Sequence, residues 1–422
     1  MAVNEGRIRY HSRSGPRVAE PLKTFFSSAL VRRLAGDIAR VHPGFPVRAF
    51  TKDACGGLDA LELLERGRHI ADALAAHLPS SYPEAIGILL RSLGPEHATD
   101  ELIGAGMAPF FYLPHTLFVA GRGLEHFDLS MRAQYELTKR FSAESSIRSF
   151  IARDPERALA FLRSWATDEN PHVRRLVSEG TRLRLPWAAR VGWLDHNPER
   201  VLALLEVLKD DPSTMVRRSV ANNLNDLGKV RPDLLIRTAG AWLEEPWPER
   251  RILVEHALRS AVKRGDTGAL RLLGFGESPR VSVEAVAFTP RRARIGGRVA
   301  LKFGLKSTSP RTQHLLVDVA VHFVKARAAG VPKVFKLGRI VLAPGELIEL
   351  KTSFSLAIHT TRVPRPGRHA VDVIVNGQAM RAGTFHVVAS QVKPPRDSGF
   401  GVSPGQGERT ARRLYRLHPT KR

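Results

Sequence analysis

Cysteine is almost absent from this 422-residue sequence, and long hydrophobic runs are missing altogether. Cys55 is the single cysteine. One thiol can form neither an internal disulfide nor a zinc or iron–sulfur site that needs several thiolates, so a reducing compartment is predicted. No run reaches the ~18 uncharged apolar residues of a membrane span, and the N-terminus lacks the apolar stretch of a signal peptide. We therefore expect a soluble, cytoplasmic protein that does not enter a membrane.

Acidic residues are scarce relative to basic ones. The sequence has 65 Lys and Arg against 41 Asp and Glu, a formal charge of +24. Residues 281–422 alone contain 25 basic and 7 acidic residues, so most of the excess lies in the C-terminal third. Such an excess attracts polyanions, which makes nucleic acid and an anionic membrane surface the leading partners.

Several familiar catalytic signatures are also missing. The sequence has no Gly-rich phosphate loop of the Walker type, no nucleophile elbow and no pair of histidines at the spacing of a zinc-binding helix. The 16 histidines are scattered. The sequence therefore predicts a protein without metal or cofactor.

What the sequence does contain is an internal repeat of 43 residues. The segment 154–162 matches 197–205 without a gap, and Val-Arg-Arg at 173–175 matches 216–218 in the same register. Each unit reads as an Asp or Asn cap followed by Pro and a helix, then a polar turn and a second helix. Paired helices with a period near 40 are typical of HEAT-like repeats, so an α-solenoid is predicted from about residue 20 to 275.

After Gly274 the hydrophobic period changes to two. Alternating runs occur at 281–286, 299–303, 315–321, 348–351 and 371–375. About seven short strands indicate an antiparallel, all-β immunoglobulin-like sandwich. The expected organisation is a disordered N-terminus at 1–18, a HEAT-like repeat domain at 19–277, an immunoglobulin-like domain at 281–390 and a basic disordered tail at 391–422.

Two carboxylates occupy unfavourable positions in the repeats. Glu179 and Asp226 lie near the C-terminal ends of the second helices, where the helix dipole disfavours an anion by roughly 0.3–1 kcal/mol. In so basic a chain the two carboxylates would place negative charge within an otherwise positive groove. Such a position is unfavourable for stability, so it indicates a functional role. Structural roles stay open, because Glu179 could pair with Arg175 and Asp226 could be exposed or cap a neighbour. Glu144 could likewise form a surface pair with Arg148.

The repeats also carry basic residues at equivalent positions, Arg174, Arg175, Arg217 and Arg218. In stacked units they would form a ridge that matches the spacing of a phosphate backbone. Trp187 is by default an aromatic side chain packed between repeats.

The segments 127–133, 138–144, 173–182 and 184–187 together resemble the AlkC branch of the HEAT-like alkylpurine DNA glycosylases. The resemblance covers about residues 19 to 390. It implies that Glu144, Glu179 and Asp226 are acidic residues lining the lesion cleft. It also implies that Arg175 and Trp187 hold the DNA backbone and the damaged nucleotide, and it places Phe50 where relatives have a DNA-binding Tyr. The C-terminal immunoglobulin-like domain would grip DNA.

The function implied is that of a monofunctional, metal-free DNA N-glycosylase, monomeric and acting on duplex DNA that contains 3-methyladenine or 3-methylcytosine. An N3-alkylated base is already cationic and leaves readily, so the carboxylates would stabilise an oxocarbenium-like sugar and orient water. The resemblance implies approach by bending the duplex, not by flipping the base into a deep pocket. Three alternatives stay open: a catalytically silent DNA-binding solenoid, a protein–protein scaffold, and membrane-surface binding through the tail at 409–422.

Overall fold

The structure is a computed structural model that describes residues 22–97, 108–245, 247–324, 331–358 and 363–389. The chain divides into two compact units, Met1–Ser278 and Pro279–Arg422. The predicted disordered ends, 1–18 and 391–422, lie outside the described residues. Within the described ranges, no helix combines the length and apolar character needed to cross a membrane.

The first unit is helical. Its helices are α1 (Ser28–Val41), α2 (Val47–Cys55), α3 (Leu63–His77), α4 (Tyr82–Arg91), α5 (Leu113–Arg122), α6 (Phe127–Thr138), α7 (Ile147–Arg153), α8 (Pro155–Trp165), α9 (Pro171–Gly180), α10 (Gly192–His196), α11 (Pro198–Leu208), α12 (Thr214–Leu227), α13 (Pro232–Leu243), α14 (Pro248–Lys263) and α15 (Thr267–Leu272). Three short 3-10 turns accompany them, at Leu22–Phe25, Leu58–Ala60 and Ala108–Tyr112. The helical class predicted from the repeat is confirmed.

The two repeat units form as the 43-residue period predicts. The first contains α8 and α9, and the second contains α11 and α12. Asp154 caps α8 by accepting a hydrogen bond from the Arg157 amide at 3.1 Å, and Pro155 fills the first helical position. Asn197, the equivalent of Asp154, does not cap α11, because its side-chain amide donates instead to the Trp193 carbonyl at 2.8 Å.

The second helices of successive units, α9, α12 and α14, pack side by side in parallel. Near the start of α9, Arg174 contacts Asp211, whereas near its end Thr181 contacts Asn223. Contacts between α12 and α14 advance in the same sense, from Asn222 with His256 to Asn225 with Ser260. The C-terminal ends of these helices, where the two misplaced carboxylates were expected, therefore meet at one edge of the row.

The second unit is a β-sandwich of β1 (Val281–Thr289), β2 (Arg292–Arg294), β3 (Arg298–Ser307), β4 (Gln313–His322), β5 (Lys333–Leu342), β6 (Leu347–Ser355), β7 (Gly367–Val375) and β8 (Gln378–Val388). One sheet has the order β1-β3-β6 and the other β2-β8-β7-β4-β5. Both contribute to one core, with Phe303 and Phe354 from the first sheet and Phe385 from the second fully buried. The predicted sandwich is confirmed. Its pairing is antiparallel except for the short β2, which runs parallel to β8.

Candidate functional site

Glu144 lies in the loop between α6 and α7, and its carboxylate is held from two sides. The Ser142 hydroxyl donates to Oε2 at 2.7 Å, and the Arg175 guanidinium donates to the same oxygen at 3.0 Å. The side chain keeps 26% of its surface exposed. Glu144 is therefore an oriented anion that solvent, or a ligand, can still reach.

Glu179 lies in the last turn of α9, as predicted, but it is buried. Arg182 donates to Oε1 at 2.5 Å, and the Ser219 hydroxyl donates to Oε2 at 2.6 Å. Arg175 approaches Oε2 at 3.9 Å. Burial opposes ionisation, but the two guanidinium groups and the Ser219 hydrogen bond outweigh it and hold the pKa of Glu179 below its usual range.

Asp226 lies in the last turn of α12 and is only 1% exposed. Its Oδ2 accepts from Arg182 Nε at 2.9 Å and from Arg182 Nη2 at 2.8 Å, and its Oδ1 accepts from Lys229 at 2.8 Å. Arg182 thus bridges the carboxylates of two successive repeats. Although burial opposes its charge, Glu179 and Asp226 hold the pKa of Arg182 above its usual value.

The three predicted carboxylates therefore belong to one chain of alternating charges. Its order is Glu144, Arg175, Glu179, Arg182 and Asp226. Sequence reasoning missed Arg182, although it lies inside one of the segments that carry the family resemblance. The sequence signal was weak because position 225, one period later, is Asn.

Arg148 is not the surface partner of Glu144 that helical spacing suggested. It is 3% exposed and donates to the Gly180 carbonyl at 2.9 Å, to the Arg182 carbonyl at 2.7 Å and to the Ala189 carbonyl at 2.9 Å. Burial lowers its pKa to about 10. Arg148 thus fixes both ends of the segment 180–189, the connection that follows α9.

Trp187 projects from this connection instead of packing between repeats. Its side chain is 68% exposed, and its backbone has φ of 62°, a left-handed conformation that costs a bulky residue about 1 kcal/mol or more. A strained and exposed tryptophan contributes little to the core. It is well placed for contact with a ligand.

Trp187, Glu144 and Arg175 share a cavity of about 240 Å³. Its other lining residues are Leu64, Pro109, Phe110, Leu113, Thr116, Phe141, Ser142, Ser145 and Pro186. One accessible carboxylate thus faces a mostly apolar wall with an exposed indole at its rim. In the described part of the chain, no three His, Cys, Asp or Glu side chains are arranged to hold a metal ion, and independence from metal stays a prediction.

The four arginines of the predicted ridge lie in four different environments. Arg174 is occupied by a bidentate pair with Asp211, at 2.6 and 2.9 Å, so its expected role as a phosphate ligand is corrected to a structural one. Arg217 donates to the Asp211 and Pro212 carbonyls at 2.5 and 2.9 Å and stays half-buried. Arg175 belongs to the charge chain. Arg218 is exposed.

Phe50 also requires correction. Its side chain is 0% exposed. The centroid of its ring lies 5.2 Å from that of the Phe45 ring and 6.1 Å from that of the His77 ring. Because its ring has no surface to offer, Phe50 is a core residue of α2 and not a DNA contact.

Comparison with known proteins places the helical unit and its charge chain in the DNA alkylation repair class. A family model described as DNA alkylation repair enzyme matches residues 141–263, which include the whole charge chain. A second model, described as the C-terminal Ig-like domain of the uncharacterised protein YhaZ, matches residues 282–389.

Two relatives narrow this class. The chain is 33% identical to the uncharacterized protein YhaZ of Bacillus subtilis (strain 168) over 87% of its own length and 99% of the relative. It is 36% identical, with a TM-score of 0.81, to the Pseudomonas fluorescens alkylpurine DNA glycosylase AlkC, solved bound to DNA containing an abasic site analog. That match covers 87% of this chain and 100% of the other. The chain belongs to the AlkC family of DNA alkylation repair proteins.

Proposed function

We propose that the protein is a monofunctional DNA glycosylase that removes cationic N3-alkylated bases from duplex DNA, with Glu144 as the carboxylate that acts at the sugar. The observation that carries the proposal is the position of Glu144. Of the three predicted carboxylates, it alone is both oriented by neighbours and accessible from the cavity.

The chemistry follows from where charge develops. An N3-alkylated purine or pyrimidine carries a positive charge and leaves as a neutral base, so it needs little acid assistance. As the bond to the sugar lengthens, positive charge grows on the deoxyribose ring. A fixed carboxylate beside that ring stabilises the developing cation and accepts a hydrogen bond from the attacking water.

The neighbours of Glu144 suit this role. Ser142 and Arg175 both contact Oε2, so no described group occupies Oε1 by hydrogen bonding, and that oxygen is available to the sugar or to water. Trp187 at the rim of the cavity would pack against the damaged nucleotide. Arg175 would contact the flanking phosphate or hold Glu144 in place.

Glu179 and Asp226 have a different role in this proposal. They are 5% and 1% exposed, so neither reaches a sugar without movement of the chain. We assign them as positioning residues that hold Arg182 and Arg175 and thereby orient Glu144.

The relative bound to an abasic-site analog supports the proposal, because an abasic site is what remains after a base is excised. The proposed substrates are 3-methyladenine and 3-methylcytosine in duplex DNA. We propose that the protein acts as a monomer in the cytoplasm, without a metal ion or cofactor.

Base release from methylated duplex DNA tests the proposal. Glu144→Gln should slow excision on the order of 100-fold, the loss typical when a preorganised electrostatic group is removed, and should still bind abasic DNA. Glu156→Gln is the matched control, because Glu156 lies on α8 in an exposed pair with Arg200. If Glu144→Gln and Glu179→Gln both leave excision unaffected, the assignment is wrong. DNA binding by the wild type without base release would instead favour a silent DNA-binding solenoid.

A further inference from the structure

The connection between α9 and α10, residues 181–191, is longer than the repeat requires. One repeat later, residues 228–231 are enough to connect α12 to α13. Insertions in repeat proteins often form loops on the face that binds a ligand. Trp187 lies near the middle of this connection, and its exposed indole lines the Glu144 cavity.

Two arginines flank Trp187 and share one carboxylate. Arg184 precedes Trp187 by three residues and Arg190 follows it by three. Arg184 donates to Oδ1 of Asp195 at 2.8 Å, and Arg190 donates to Oδ2 of the same side chain at 2.5 Å. Asp195 lies on α10. Its carboxylate therefore closes residues 184–190 into a loop, the Trp187 loop, with the tryptophan at the midpoint.

The charge of Asp195 is maintained by these contacts. The Asp195 side chain is 15% exposed and is not among the residues that line the cavity. Burial opposes its ionisation, but the hydrogen bonds from Arg184 and Arg190 outweigh burial and hold the pKa of Asp195 below its usual range. The same carboxylate also acts on Arg148, because its charge opposes the lowering of the Arg148 pKa by burial. Asp195 thus compensates three cations that hold the connection.

The conformation of Trp187 requires such closure. A bulky residue with φ of 62° keeps that conformation only where its surroundings enforce it. Arg148 holds backbone carbonyls on both sides of Trp187, and Leu185 is buried. The two arginines on Asp195 add a connection between side chains across the loop. The indole is therefore held in place by contacts that lie away from the cavity.

We propose that Asp195 is a positioning residue for base excision, which fixes the Trp187 loop at the rim of the Glu144 cavity. It acts through Arg184 and Arg190 and does not itself contact the nucleotide. Because the indole is oriented before DNA binds, less conformational entropy is lost when the damaged nucleotide is bound. The inference rests on the proposed function, in which Trp187 packs against that nucleotide.

Asp195→Asn distinguishes positioning from general electrostatics. The substitution removes a negative charge and releases two arginines, so attraction to DNA at long range should increase. The proposal predicts the opposite for excision. The kcat/KM for base release from methylated duplex DNA should fall on the order of tenfold, as expected for loss of the Trp187 contact. Asp233→Asn is the matched control and should excise like wild type, because Asp233 lies on α13, pairs with Arg231 and Arg237 and does not line the cavity.

A double variant tests whether Asp195 acts through Trp187. If it does, adding Asp195→Asn to Trp187→Gly should leave excision within about twofold of Trp187→Gly alone, since the second substitution removes an effect that is already lost. Independent structural effects would instead multiply, to a loss on the order of 100-fold. Helical circular dichroism verifies that each variant is folded.

Trypsin cleavage followed by mass spectrometry tests the loop without a catalytic readout. Trypsin cuts after arginine, so cleavage after Arg184 and Arg190 should be faster in Asp195→Asn than in wild type, and unchanged in Asp233→Asn. The inference fails if Asp195→Asn excises as fast as wild type, if the two substitutions multiply, or if cleavage at these sites is no faster. Absence of base release by the wild type would overturn the proposed function, whereas the trypsin result would still decide whether Asp195 holds the loop.

Discussion

Removal of Arg182 is the sharpest test of the charge chain. Arg182 is 11% exposed and lies between carboxylates that are 7% and 2% exposed. Arg182→Met keeps much of the apolar stem and deletes the charge. Glu179 then keeps Ser219 and a longer contact with Arg175, whereas Asp226 keeps only Lys229.

The expected cost is large, because removing one partner from a buried ion pair leaves an uncompensated charge. Such losses amount to about 3–5 kcal/mol in the free energy of unfolding. For a unit of this size that corresponds to a fall in Tm of roughly 10 °C. Arg190→Met is the matched control, because Arg190 is 63% exposed in its pair with Asp195 and should contribute less than about 1 kcal/mol.

The dependence on pH provides an independent check. The folded-state pKa of Glu179 lies below its unfolded value, so its contribution is present above the unfolded pKa and is lost as pH falls through the folded value. Without Arg182 the pKa of Glu179 rises, and the group is protonated in the fold at low pH. The stability gap between wild type and Arg182→Met should therefore narrow between pH 7 and pH 4.

Urea unfolding, followed by helical circular dichroism so that the repeat unit is observed, measures both effects. The view that Arg182 holds two buried anions together would be refuted if Arg182→Met lost no more unfolding free energy than Arg190→Met. It would also be refuted if the stability difference between wild type and Arg182→Met did not change with pH.

Three further predictions test single side chains. Trp187→Gly should not lower Tm, because glycine adopts the left-handed backbone at this position without strain. The variant should slow base excision on the order of tenfold, because it loses an aromatic contact with the nucleotide. Unchanged excision would show that Trp187 is not part of the site. Burial lowers the pKa of His115 to about 4, so the unfolded chain gains a proton first as pH falls. Between pH 6.5 and pH 4 the wild type should therefore lose up to about 3 kcal/mol more unfolding free energy than His115→Leu. Urea midpoints at the two pH values measure this difference, and equal losses in the two proteins would contradict the prediction. Phe50→Leu should cost about 1 kcal/mol in stability and leave duplex affinity unchanged, and weaker binding by a folded variant would restore Phe50 as a DNA contact.

The sequence predicted those parts of the fold that depend on local, repeated signals. Pro155 and Pro198 each begin a helix one period apart, because proline favours the first helical turn. Strands β1, β3, β4, β6 and β7 coincide with the alternating runs. Of the strands that were not predicted, β2 has only three residues, and β5 and β8 lack a clean alternation of buried and exposed side chains. In β5 exposed and half-buried side chains do not alternate residue by residue, and Gly338 interrupts the pattern.

The site was only partly predictable, because burial and pairing depend on contacts between repeats. The positions of Glu179 and Asp226 at helix ends follow from the sequence, but their shared partner does not. Arg182 and Asp226 are 44 residues apart, and the periodic comparison gives no hint of their contact. The division of the arginine ridge could not be predicted either, because Arg174 and Arg217 occupy equivalent positions in the repeat, yet Arg174 pairs with the Asp211 carboxylate and Arg217 donates to backbone carbonyls.

The alternating charges are themselves an argument for function. Buried ion pairs contribute little net stability compared with apolar residues of similar size, because desolvation of each charge offsets much of the attraction. A chain of five charged groups is therefore a poor way to stabilise a stack of helices that already buries many apolar side chains. What the charge chain does provide is a fixed orientation of the Glu144 carboxylate. Asp226 and Glu179 hold Arg182, Glu179 lies beside Arg175, and Arg175 holds Glu144 at the cavity. Geometry that is costly and ends at a single accessible carboxylate is what electrostatic stabilisation of a cationic transition state requires.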